Sequence, residues 1–242
     1  QLNGTTAGSG YDQLNVTGTV NLTGATLSGT VGFSPAGGNS FTIVANDGAD
    51  LVTGTFAGLA EGAIVFLSGQ SFAISYVGGT NNDVVLTRVA ATYTWTGGGG
   101  DDNWSTGANW AGTAPTGVST DVLVFAGGTR LTPNNDLVGK TFASITFNAG
   151  GFTLGGQALT LAAGATAISN TVGTNTINNN ITFSTAAPTI ATTASTTLTL
   201  GGTIANGGLL ITVNTAGTLN LNGIISGTGG ITKSTGTGTL TL

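Results

Sequence analysis

A three-residue core, apolar then Thr or Asn then apolar, keeps returning through the second half of this chain. It reads Leu159-Thr160-Leu161, Ile181-Thr182-Phe183, Leu198-Thr199-Leu200, Leu219-Asn220-Leu221 and Leu240-Thr241-Leu242. The first residues stand at 159, 181, 198, 219 and 240, so the spacing runs from 17 to 22. Self-similarity at such a period marks a stacked architecture, in which each repeat covers the apolar face of its neighbour. Successive side chains of a strand point to opposite faces, so each core offers two apolar groups inward and one polar group outward. The expectation is an all-β fold, a parallel β-helix (β-solenoid) with rungs of about 20 residues. Each rung would hold two or three short strands joined by Gly and Asn corners, residues that adopt tight or left-handed backbone at low cost. If the whole chain coiled, about a dozen rungs would stack at about 4.8 Å each. A β-sandwich, which also has evenly spaced short strands, is the rival architecture.

Helix signals are nearly absent, whereas short alternating segments recur, such as Ser40-Phe41-Thr42-Ile43-Val44, Phe72-Ala73-Ile74-Ser75-Tyr76 and Asp121-Val122-Leu123-Val124-Phe125. Three textures follow one another. Residues 1–90 hold most of the acidic groups and read as a β-rich closing segment of a solenoid. Residues 91–136 hold all three Trp and the Gly97–Gly100 run, and read as a junction or cap that opens the next repeat region. Residues 137–242 are the regular solenoid.

Composition narrows function. Charged residues make up 5% of the chain and the net charge is −5. That argues against nucleic acid, which needs a basic footprint. The four cations, Arg88, Arg130, Lys140 and Lys233, are scattered, and the longest apolar run, Ala63–Leu67, is far too short to insert in a membrane. Cys and His are absent, which removes a catalytic triad built on His and a Cys/His zinc site. A polysaccharide-degrading enzyme would need a pair of tunable carboxylates in reach of each other. Asp101 and Asp102 are adjacent, which on a strand sends them to opposite faces. No catalytic residues are assigned.

Calcium is the one cofactor with any support. Gly78-Gly79-Thr80-Asn81-Asn82-Asp83-Val84-Val85 partly matches a calcium-binding nonapeptide, with Asn81 where Gly is expected. Asp47, Asp50, Asp101 and Asp102 offer further oxygen ligands, although a solvated turn accounts for each of them as well. Trp95, Trp104 and Trp110 read as a plug for the end of a coil, with stacking on a glycan as the alternative. Asn3, Asn15, Asn21, Asn103 and Asn180 each begin an Asn-x-Ser/Thr sequon.

The stretch from Gly223 to Leu242 contains Gly227-Thr228-Gly229-Gly230-Ile231-Thr232-Lys233 and Gly236-Thr237-Gly238-Thr239-Leu240-Thr241-Leu242. It resembles the passenger-associated repeat of autotransporter-type surface proteins. Trp95-Thr96-Gly97-Gly98 through Trp110 resembles the opening of such a repeat region. Tyr11–Gly18, Asn46-Asp47-Gly48 and Gly78–Leu86 resemble the segment that closes one. The resemblance implies a right-handed β-helix at the outer surface of a bacterium or outside it, with no shared catalytic residues. The order here, closing segment before opening segment, reads as a cut across two tandem units. No membrane barrel accompanies the repeat, so the resemblance carries no secretion mechanism.

The expected function is a non-catalytic structural protein whose rungs stack end to end, head to tail with its own kind or as tandem repeats of one chain. Gln1, Leu2, Leu240 and Leu242 are the expected assembly ends, because neither end carries the charge or Pro that blocks edge pairing. An adhesin that binds surface glycans is the alternative.

Overall fold

The computed structural model describes residues 1–33, 35–162 and 166–242. The chain divides into two compact units, Gln1–Ala91 and Thr92–Leu242.

Unit two is the solenoid. Its strands fall on three faces, visited in turn as the chain coils. The first face carries Thr92–Trp95, Val122–Phe125, Ser144–Phe147, Thr166–Asn170, Thr189–Thr192, Ile211–Thr215 and Ile231–Thr235. The second carries Asn134–Asn135, Thr153–Gly156, Thr174–Ile177, Thr197–Leu200, Thr218–Leu221 and Thr239–Thr241. The third carries Thr141–Phe142, Leu159–Leu161, Ile181–Phe183, Ile204–Ala205 and Ile225–Ser226. Every pairing among these strands is parallel, and the coil makes about five complete turns with a strand on every face. The rung is 22 or 23 residues through most of the coil, as in Leu123↔Ile145↔Ile168↔Ile190↔Val213.

The pattern of burial explains the coil. Inward positions stack in columns, such as Leu154–Ile177–Leu200–Leu221 on the second face, all buried. Fully burying one such side chain is worth about 1.5–3 kcal/mol relative to leaving it in water. Corners between faces are closed by buried Asn. Asn179 donates through Nδ2 to the carbonyls of Gly155 and Gln157, both at 2.8 Å, and Asn206 donates to Gly229 O at 2.7 Å. These bonds run to the adjacent rung, so one amide satisfies carbonyls that the corner takes out of the ladder. Rungs approach closest at Gly223, where an added Cβ would lie 1.8 Å from the Gly202 carbonyl oxygen.

Unit one is built differently. It contains β1 (Leu14–Val16), β2 (Ser40–Asn46), β3 (Ile64–Leu67), β4 (Gln70–Gly78) and β5 (Asp83–Arg88) in the order β1-β2-β5-β4-β3. Only β1 and β2 pair in parallel, and the other ladders are antiparallel. Coil-like pairing survives in single parallel bridges, Leu2↔Val31 and Asn21↔Thr53. The β3–β4 hairpin turns on Ser68 and Gly69, both at positive φ, as a two-residue turn matched to strand twist requires. Phe41, Phe72, Ile74, Val84 and Leu86 form its core. The regular stack is therefore confined to unit two, and a dozen rungs over the whole chain is corrected to about five.

Candidate functional site

The Trp segment forms the first turn of the solenoid. Thr92–Trp95 pairs in parallel with Val122–Phe125, and Asn103 bridges Asn134 on the second face. Trp104 N donates to Asn134 O and Asn134 N to Asp102 O, which continues that ladder. Between them a short 3-10 turn, Gly107–Trp110, carries Trp110 inward. All three indoles are interior, with Trp95 and Trp104 at 0% exposure and Trp110 at 3%. Trp110 meets Trp95 edge-on at 5.1 Å and Trp104 at 5.6 Å between ring centres. The cluster continues down the coil through Phe125 to Phe147 and Phe152, at 5.4 and 5.5 Å. Trp110 Nε1 donates to Trp104 O, and Trp95 Nε1 to Arg130 O. No indole face is left open for a sugar, so glycan stacking on Trp95, Trp104 and Trp110 is corrected: burial has already used these rings.

The carboxylates beside the Trp cluster are held by their own loop and by Thr132 and Arg130 of the next turn. Asp101 accepts from Thr106 Oγ1 and from the Asn103 backbone N–H, and these bonds hold its pKa below the ordinary value of 3.8. Asp102 accepts from Thr132 Oγ1 at 2.8 Å and from the Arg130 guanidinium at 3.1 Å, and its pKa is lowered in the same direction. Asn109, fully buried, donates to the Asp101 and Asn103 carbonyls and accepts from Gly99 N–H. In unit one, Asp47 Oδ1 accepts from Gly18 N–H and Asp83 Oδ1 from Asn46 N–H, while the Asp50 carbonyl takes Asn46 Nδ2. Among the described residues no three acidic side chains gather into a group that could hold a metal ion. A cavity of about 230 Å³ in unit one is lined mainly by Leu2, Leu27, Ile43, Phe56 and Leu86, with exposed Asp12 beside it. Apart from Asp12 its lining offers no titratable side chain.

The expected assembly residues divide. Leu2 is buried in unit one, where its N–H donates to Thr30 O and its carbonyl accepts from Gly32 N–H. The Gln1 ammonium pairs with Asp12 at 2.6 Å. At the other end of the sequence, Ile225–Ser226, Ile231–Thr235 and Thr239–Thr241 each pair with a strand on one side only. Their inward residues continue the buried columns: Ile231 follows Ile211, Leu240 follows Leu219 and Ile225 follows Ile204. The earlier members are 0% exposed, whereas Ile231, Leu240 and Ile225 are half-buried and Leu242 is 78% exposed. This row offers unpaired backbone groups and half-covered apolar side chains on all three faces. Sequence reasoning named Leu240 and Leu242 but missed Ile231 and Ile225, although both sit in the same Gly-flanked texture. Comparison with family models, with curated proteins and with solved structures finds no match to this chain.

Proposed function

We propose that this chain is a non-catalytic structural module of a bacterial surface or extracellular fibre, extended by stacking rung upon rung. The observation that carries the reading is the parallel stack, whose buried columns on three faces continue in register to Ile225, Ile231 and Leu240. The edge has no Pro, and Lys233 in Ile231–Thr235 is its single charge, so Ile225–Ser226 and Thr239–Thr241 are the parts of it that template another strand. The row accepts either a following rung of a longer chain or a rung of a second copy, and both lengthen the same coil. A heterologous contact of this kind does not close and so builds an open fibre. Support for a non-catalytic role comes from the carboxylates of the Trp loop, which are occupied by Thr106 of that loop and by Thr132 and Arg130 of the next turn. The resemblance of Gly223–Leu242 to autotransporter repeats supports the extracellular setting.

Negative-stain electron micrographs of the purified chain test the proposal. End-to-end particles that lengthen with concentration are expected, and Leu240→Lys, which places a charge in the row, should return them to single particles. Monodisperse short particles at every concentration would sink it.

A further inference from the structure

The second face of the solenoid carries a regular net of threonines, and the geometry points to an ice-binding surface. Along the coil axis one outward column reads Thr174–Thr197–Thr218–Thr239. Two residues further along each strand, a second column reads Thr153–Thr176–Thr199–Asn220–Thr241. Neighbouring strands of a sheet lie about 4.8 Å apart, and residues i and i+2 about 6.6 Å apart, so the hydroxyls and methyls occupy a rectangular net with those periods. The prism face of hexagonal ice repeats its oxygens on a rectangular net of closely similar periods. A surface that orders water into that net adsorbs to the growing crystal.

Further observations favour this face. Its register runs without a shift from Thr174 to Thr241, whereas the first face is interrupted between Thr166 and Ile168 and between Val213 and Asn214. One outward column of the first face is chemically mixed, Thr94–Val124–Thr146–Ser169–Ala191–Asn214, and the other turns to threonine only from Thr166–Thr189–Thr212–Thr232, after Thr92–Val122–Ser144, so that face carries no two-column net. The third face has strands of only two or three residues, and so a single outward column. No charged residue occurs between Lys140 and Lys233, so nothing on the rungs that carry Thr153 through Asn220 holds a disordered hydration shell by charge. The hydroxyls of the first column stay free of hydrogen bonds within the protein among the described residues; in the second, Thr199 Oγ1 accepts from Asn220 Nδ2 at 3.3 Å. Beneath them the buried columns of Leu198–Leu219 and Ile177–Leu200–Leu221 hold the strands flat and fixed. A crystalline polysaccharide also presents a periodic flat surface. Binding one usually relies on exposed aromatic rings, and all three Trp of this chain are interior.

The test uses the full chain in an ice-recrystallisation assay and a thermal-hysteresis measurement. Thr199→Tyr puts a bulky ring in the middle of the net, and Ser169→Tyr does the same on the first face as a control. Circular dichroism checks that each variant is folded. If T199Y unfolds, Thr176→Lys probes the same net one rung away. The native chain and S169Y are expected to hold ice grains small and to show hysteresis, and T199Y or T176K to lose both. Absence of ice activity in the folded native chain overturns the inference. So does equal loss in S169Y, or T199Y-sensitive binding to crystalline chitin or cellulose without any effect on ice. This role is independent of end-to-end stacking, because the net lies on the side of the coil and the open row at its end.

Discussion

Asn175 interrupts an otherwise aliphatic column. It stands in register with Leu198, which stacks on Leu219 and then Leu240, yet it is 1% exposed. Repeat logic alone would place Leu there, and Asn175→Leu asks whether the corner network outweighs the lost apolar contact. Asn175 Oδ1 accepts from Phe152 N–H at 2.9 Å. Its Nδ2 donates to Asn170 Oδ1 at 2.8 Å, Val172 O at 2.9 Å and Ala149 O at 3.0 Å. Leucine would leave at least the Phe152 N–H and Asn170 Oδ1 buried without a partner, at about 1–3 kcal/mol each. The new side chain recovers about 1.5–3 kcal/mol of burial. Carbonyls of Ala149 and Val172 also lose a donor, so the balance is a net destabilisation of about 2 kcal/mol. With a urea m-value of about 2 kcal/mol/M, the midpoint should fall by about 1 M. All three Trp belong to unit two, so indole fluorescence follows the unfolding of that unit alone. A variant midpoint equal to or above the native one, at unchanged m, would refute the claim that polar corners hold this coil.

Two further outcomes follow from the geometry. Gly223→Ala must push apart two backbones that already touch, and should cost about 1–3 kcal/mol, whereas Gly155→Ala, with open space at the same atom, should leave the thermal midpoint nearly unchanged. Asp101 and Asp102 have pKa values below 3.8 in the folded chain, so their contribution to stability is complete above that pH and is lost as pH falls through the folded values. An acid titration followed by Trp fluorescence should therefore stay flat from neutrality to about pH 4, then fall. Asp102→Asn should flatten part of that fall.

The repeat was legible because inward and outward residues alternate in every strand, and the coil adds nothing to that code except stacking. Its phase was harder to read. Leu159-Thr160-Leu161 and Ile181-Thr182-Phe183 lie on the third face, while the three later copies lie on the second. The spacing of 17 between 181 and 198 runs from the third face past the first to the second, and is not a short rung. Asn corners such as Asn135, Asn179 and Asn206 were invisible as a class, since surface loops contain Asn for other reasons. In unit one the strands look alike in sequence whether they pair in parallel or not. The signal that was passed over is Leu67-Ser68-Gly69-Gln70, a two-residue turn between two apolar runs, which specifies an antiparallel hairpin. Adjacent Asp101 and Asp102 suggested a ligand pair, but Thr132 and Arg130, which hold Asp102, are too far along the chain for sequence to reveal them as partners.

Stacking on the open row is the central claim, and hydrogen–deuterium exchange reads it at the backbone. The amides of Ile231–Thr235 and Thr239–Thr241 should gain protection as concentration rises, while those of Thr197–Leu200, already paired on both sides, stay unchanged. Exchange at the open row that remains fast while the particles grow would place the contact elsewhere and contradict the account.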